Sequence, residues 1–298
     1  MRLPGRIALL GFGEVGQNLA AGLRRQQPVE LSAWDIQFVD PASRPYQCAR
    51  EAAVQSARSA GEAVAGAALV ISAVTAANAL LCAESVAPAL TADSVFLDLN
   101  SIAPSVKQQA ARVIDAHGGR YIEVAVLAPI APRGLDTPML LGGPHAESFL
   151  PLAGALGFSA ARLYSATVGP ASAAKMCRSV IIKGLEALLA ESLLAARHYG
   201  VEDTVLASLS DLLPNPDWPG LARYMLSRSL LHGIRRAEEM RHVCRTIADS
   251  GIDPWMSEAS THRQAWAGAH AALATDGSLS QLLDSLMPTR GAGEARAC

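Results

Sequence analysis

The segment Ile7-Ala8-Leu9-Leu10-Gly11-Phe12-Gly13-Glu14-Val15-Gly16 constrains the fold most, because it joins an apolar run directly to a glycine-spaced turn and then to a helical pattern. A helix entered this way leaves its first backbone N–H groups unpaired, and those donors, with the positive end of the helix dipole, favour an anion. In this Gly-x-Gly-x-x-Gly spacing Gly11 permits the tight turn and Gly13 lets the backbone approach a diphosphate. Gly16 lets the helix pack closely on its strand. Gly11, Phe12, Gly13, Glu14, Val15 and Gly16 therefore read as a dinucleotide-binding turn. A second strand pattern, Glu30–Trp34, ends at Asp35, nineteen residues past Gly16. A carboxylate there accepts hydrogen bonds from ribose hydroxyls and repels a 2'-phosphate. The expected cofactor is NAD or NADP, with NAD favoured, although Arg44 and Arg50 lie close downstream.

A chain of 298 residues has material for about two domains. Half of it is apolar, 17% is charged, and the net charge is -2. That balance gives no electrostatic case for nucleic acid or an anionic membrane surface. Cys48, Cys82, Cys177, Cys244 and Cys298 are odd in number and scattered, as expected of reduced thiols in a cytoplasmic protein, and their spacing suggests no metal site. No apolar run reaches the ~18 residues of a membrane span. The expected partner is a small-molecule substrate.

Along the chain, short apolar runs alternate with alanine-rich helical stretches, the rhythm of a parallel sheet. Strands are expected at Leu69–Val74, Ser94–Leu99, Tyr121–Val126 and Met139–Leu141. Helices are expected over Ala77–Leu90 and from Pro104 to about His117. Ala171–Tyr199 then forms one uninterrupted helical pattern, and Leu221–Ile234, Arg235–Ser250 and Pro254–Leu273 continue it. Pro214, Pro216, Pro219, Gly220 and Gly251 read as breakers, and the tail Pro288–Cys298 as a frayed end. The fold class is α/β, with a Rossmann-type parallel-sheet domain over residues 1–165 and an all-helical domain over 166–298.

Ligands on such a sheet lie outside the carboxyl ends of the strands. Ala73 and Val74, in Ser72-Ala73-Val74-Thr75, would pass beside the cofactor. In Asp98-Leu99-Asn100-Ser101, Asn100 or Ser101 is placed to face a nicotinamide, and Ser101 equally suits a helix cap before Pro104. The proline-bearing loop Ala128-Pro129-Ile130-Ala131-Pro132-Arg133-Gly134 could wall a substrate pocket. Lys175 is a single cation in a small, apolar helical turn, where partial desolvation would bring a lysine towards general-base range. Ser179 shares its face one turn on. Lys183 and Glu186 continue the stripe as a polar seam.

These residues resemble the beta-hydroxyacid dehydrogenase superfamily, the relatives of 6-phosphogluconate dehydrogenase and 3-hydroxyisobutyrate dehydrogenase. The resemblance covers nearly the whole chain: the glycine turn, the Asp98–Ser101 strand end, the proline-rich loop and the Gly169–Lys175 helix start, where Ala171 replaces the family's second glycine. It implies that Lys175 is the general acid/base and that the helical half builds a homodimer. Ser179 stands where the family has asparagine, Leu127-Ala128-Pro129 where it has serine-glycine-glycine, and Glu238-Glu239 where it has a lysine-aspartate pair. An anionic substrate would then look to Arg133, Arg178 or Arg236.

The leading expectation is an NAD(P)-dependent oxidoreductase with Lys175, Ser179 and Asn100 in its catalytic centre and Ser101, Ala128, Pro129, Arg133 and Arg178 around the substrate. An imine or ketone reductase is the alternative on the same fold. A non-catalytic nucleotide-sensing protein is the third.

Overall fold

The computed structural model describes residues 3–26, 28–209, 217–274 and 277–287; Pro214, Pro216 and the tail Pro288–Cys298 lie outside them. The described residues fall into two compact units, one within Met1–Arg178 plus Arg245–Ile252, the other within Ser179–Cys244 plus Asp253–Cys298. Among them no helix is long and apolar enough to cross a membrane.

The first unit begins β1 (Arg6–Leu10), α1 (Glu14–Gln26), β2 (Glu30–Trp34), α2 (Arg44–Glu51), β3 (Gln55–Ser56), α3 (Ala60–Val64), β4 (Leu69–Ser72) and α4 (Ala79–Val86). It continues with β5 (Val95–Asp98), α5 (Pro104–Ala116), β6 (Arg120–Val126), α6 (Ile130–Arg133), β7 (Met139–Gly142), α7 (Ala146–Ala155) and β8 (Ala161–Ser165). One sheet has the order β3-β2-β1-β4-β5-β6-β7-β8. Every pair is parallel except β6 with β7.

Alternate side chains serve two cores: Ile7, Leu9, Ile71 and Leu97 on one face, Ala8, Leu10, Val70 and Phe96 on the other. Parallel strands covered by helices on both faces require such two-sided apolarity. The chain reverses direction across the sheet between β1 and β4, so their carboxyl ends open the crevice where ligands bind in this architecture. β3 and β8 were not foreseen. β3 has two residues, and β8 is an edge strand with largely exposed side chains that lacks an apolar run.

Pro170–Tyr199 forms the long helix α8, followed by α9 (Glu202–Ser208), α10 (Trp218–Asp249), α11 (Trp255–Ala269) and α12 (Leu279–Leu286). The second unit's core gathers Leu189, Leu193, Leu206, Trp218, Leu226 and Leu282. The expected pair of helices over Leu221–Ile234 and Arg235–Ser250 is corrected to the single helix α10. Its central Gly233, worth about 0.5–1 kcal/mol less than alanine in a helix, is where α11 comes close. A Cβ there would overlap the backbone of Gln264 and Gly268. Pro219 and Gly220 break nothing, because they sit in the first turn, where a missing N–H loses no helical bond.

Candidate active site

The glycine turn divides by physical role. Gly11 has φ +87° and donates its N–H to the Trp34 carbonyl at 2.9 Å. A Cβ on it would overlap the Ala73 carbonyl, and one on Gly16 would overlap the Gly11 carbonyl. Both glycines are thus required by the packing of the chain itself, with half-buried Ala73 and Val74 beside the turn. A Cβ on Gly13 meets nothing within 4 Å. Gly13 opens onto the start of α1, whose first N–H groups have no intrahelical acceptors, and this arrangement fits a diphosphate.

Asp35 fastens the turn: Oδ2 accepts the Phe12 N–H at 2.8 Å and Oδ1 the Gln37 N–H at 2.9 Å. Phe12 itself is buried, its ring 6.3 Å from that of Phe38, so its side chain serves the core. Glu14 is exposed and Val15 half-buried in the first turn of α1.

At the end of β5, Asp98 is 1% exposed. Its carboxylate accepts the Tyr121 hydroxyl at 2.6 Å and the Asn100 N–H at 2.9 Å, and it pairs with Lys107 Nζ at 2.9 Å. Lys107, 0% exposed, also donates to the Asp98 carbonyl at 2.6 Å. Burial first, then the Asp98 charge, push the Tyr121 hydroxyl well above its ordinary range. Burial pushes the Cys82 thiol up to about 12, with Asp98 adding to the shift, and makes it a structural rather than reactive sulfur.

Asn100 Nδ2 donates to Ser72 Oγ at 2.9 Å, while its buried Oδ1 has no partner. A buried acceptor left unpaired costs about 1–3 kcal/mol, so this atom suits a donor such as the carboxamide of a nicotinamide. Ser101 does not cap α5: the cap position is Ala103, which makes no side-chain bond. Ser101 Oγ instead accepts from Lys175 Nζ at 2.6 Å.

Lys175 is half-buried in the second turn of α8, and the start of that helix is held by a residue that sequence reasoning missed. Glu123, on β6, is 0% exposed and stands in register with Asp98 on β5. Its Oε1 accepts the N–H groups of Gly169 at 2.8 Å and Ala171 at 3.1 Å; its Oε2 accepts the Ser172 N–H at 3.3 Å and hydroxyl at 2.8 Å.

The remaining expected residues differ in exposure. Ala128 is half-buried, Pro129 is exposed just before α6, and Arg133 and Arg178 are exposed. Ser179 is buried, one turn beyond Lys175 along α8. In the second unit Lys183 pairs with Glu239, which also takes Arg235. Arg236 pairs with Glu186, which accepts Gln264 Nε2 at 3.1 Å. Arg236, expected to await an anionic substrate, is thereby committed to Glu186, and Lys183 and Glu186 do form a polar seam. One sequence signal marks the networks: of 25 lysines and arginines only Lys107, Lys175 and Lys183 are lysine, and each is held in a buried or half-buried polar contact.

The glycine turn, the sheet order and the Asp35 clamp together define a dinucleotide-binding α/β protein. Residues 6–146 match the NAD binding domain of 6-phosphogluconate dehydrogenase, and residues 196–267 match a domain of unknown function, DUF1932. A conserved hypothetical protein from Sinorhizobium meliloti 1021 is 36% identical, with 94% of this chain and 96% of that one covered and a TM-score of 0.70. Conserved protein MTH1747, of unknown function and described as structurally similar to 3-hydroxyacid dehydrogenases, is 30% identical over 90% and 98% of the chains, with a TM-score of 0.68. The fold is shared with Mycobacterium tuberculosis 3-hydroxyisobutyrate dehydrogenase in complex with L-serine, at 18% identity, 96% and 99% coverage and a TM-score of 0.70. No curated protein matches the chain. The chain belongs to the beta-hydroxyacid dehydrogenase superfamily.

Proposed function

We propose that the protein is an NAD(P)-dependent oxidoreductase acting on a hydroxy or carbonyl substrate, with Lys175 as its general acid/base. The observation that carries this reading is the 2.6 Å contact between Lys175 Nζ and Ser101 Oγ at the carboxyl end of β5, in the same unit as the glycine turn. Gly13 and the first turn of α1 would hold the diphosphate, Asp35 the adenosine ribose, Ala73 and Val74 the flank, and Asn100 Oδ1 the nicotinamide end. A bound nicotinamide supplies the hydride acceptor or donor. Lys175 takes the proton of a substrate hydroxyl in oxidation and returns it in reduction. Ser101 accepts one ammonium hydrogen and so orients the remaining ones. Ser179, one turn on, helps position the substrate. Asp35 favours NAD. We assign the cofactor half to residues 1–165 and the helical half to 166–298.

The loop before α6 favours a second reading, reduction of a ketone or imine without a carboxylate. The Leu127 N–H is spent on the Pro138 carbonyl at 3.0 Å and Pro129 has none, which leaves Ala128 as the local donor. Arg133 and Arg178 would serve an anionic substrate, and a panel of hydroxy acids, ketones and cyclic imines separates the two. On the substrate found, Lys175→Ala lowers turnover about 10²- to 10⁴-fold, the contribution of a positioned acid/base; near-normal turnover contradicts the assignment.

We further propose a cytoplasmic homodimer built through the helical half, where Ile181 and Leu188 on α8 and Leu231 and Ile234 on α10 are exposed. Light scattering at micromolar concentration reads twice the chain mass if this holds and the chain mass if it fails.

A further inference from the structure

We propose that Glu123 is a positioning residue for Lys175, an inference that rests on the reading of Lys175 as acid/base. Burying a carboxylate is costly unless every lone pair it directs inward is met. Here four donors from Gly169, just before α8, and from Ala171 and Ser172 in its first turn converge on one buried carboxylate. Gly169 delivers its N–H from the left-handed region, at φ +127°. Gly142 on β7 leaves room, because a Cβ there would run into the Glu123 carboxylate. Strand, turn and helix are thus shaped around this one side chain.

A helix of 30 residues does not need a buried anion in order to form. An exposed serine or aspartate at the cap would satisfy the same N–H groups at less desolvation. What the buried carboxylate adds is a fixed origin for α8 relative to the sheet. Ser172, which gives Glu123 two of the four bonds, is three residues before Lys175 and therefore lies on the same helical face. Asp98, in register with Glu123 on the neighbouring strand, fixes the other partner in the same way: it holds the Asn100 N–H immediately before Ser101. Two adjacent strands each carry one buried carboxylate, and each sets one half of the Lys175–Ser101 contact.

The test uses the full chain labelled with ¹³Cε-lysine, which yields three resonances, assigned by Lys175→Ala and Lys183→Met. In Glu123→Gln one amide NH2 meets the converging N–H donors, so the Lys175 resonance is expected to move while that of Lys183 stays, and Glu123→Asp is expected to restore part of the shift. On a substrate, kcat falls about 10²-fold with the KM for dinucleotide unchanged, the scale of a 1 Å misplacement. A folded Glu123→Gln chain with an unmoved Lys175 resonance overturns the proposal. If Glu123→Gln does not fold, Ser172→Ala removes the hydroxyl's contacts with Glu123 and with the Gly169 carbonyl without touching the charge, and a moved or unmoved Lys175 resonance decides in the same sense. Full turnover by Lys175→Ala would instead remove the acid/base reading, and the resonance would still judge the positioning.

Discussion

Lys175 Nζ stands 2.6 Å from Ser101 Oγ although 74 positions separate them, one at the start of a long helix and the other just past a sheet strand. A hydrogen bond to a charged group contributes about 1.5–3 kcal/mol. Ser101→Ala is accordingly expected to lower kcat about 10- to 100-fold and leave dinucleotide affinity intact. Steady-state kinetics beside a binding titration check this; an equal loss of dinucleotide affinity would place Ser101 in cofactor binding instead.

The three turn glycines should separate by stability and affinity. Gly11→Ala and Gly16→Ala place a Cβ onto backbone carbonyls and destabilise the fold, Gly11 also through its positive φ. Gly13→Ala finds open space and costs only about 1 kcal/mol, the penalty of alanine at a helix cap. Its expected loss is in dinucleotide affinity, because in the proposed binding mode the new methyl would stand where the diphosphate sits. Urea melts and a titration on the three variants read both quantities.

Asp98 and Lys107 form an ion pair with side chains 1% and 0% exposed. Removing one partner of a buried pair leaves an uncompensated charge and typically costs 3–5 kcal/mol. Asp98→Asn and Lys107→Met are each expected to approach that loss in urea denaturation. The double variant should lose clearly less than the sum of the two, and strict additivity would mean that the pair is not coupled.

Alkaline stability follows from Cys82, whose thiol is raised from 9.0 to about 12 by burial. Between those values the unfolded chain has lost the proton and the folded chain keeps it. Its contribution is therefore complete below pH 9 and is lost as pH rises towards 12. One group sets a limit of about 1.4 kcal/mol per pH unit. Urea midpoints between pH 8 and 10.5 should fall, and Cys82→Ala should flatten the fall; an unchanged slope in the variant contradicts the shift.

The parts of this fold that could be read in the sequence are those carried by local pattern. The glycine turn, the apolar strands β1, β2, β4, β5 and β6 and the run of α8 all announce themselves through spacing within a few residues. Lys175 stood out because its neighbours are small and apolar. Glu123 and Lys107 did not, since each looks like an ordinary charge in a strand or helix pattern. Their partners were also out of local view: the donors to Glu123 lie 46 to 49 positions away. Ser101 was ambiguous between helix cap and site residue for the same reason. The scarcity of lysine is a signal that would single out Lys107 beside Lys175 and Lys183. The single run of α10 was not legible either: Gly233 lies at a close approach to α11, and local spacing does not reveal such a contact.

In the proposed function the glycine turn and Asp35 together hold a nicotinamide dinucleotide. Its most direct test is a titration of NAD(H) against NADP(H) on the parent chain and on Asp35→Ala in parallel. Saturable binding that favours NAD(H) in the parent, with that preference lost in the variant, is the predicted result. Binding of neither dinucleotide by a folded parent chain would contradict the account before any substrate is tried.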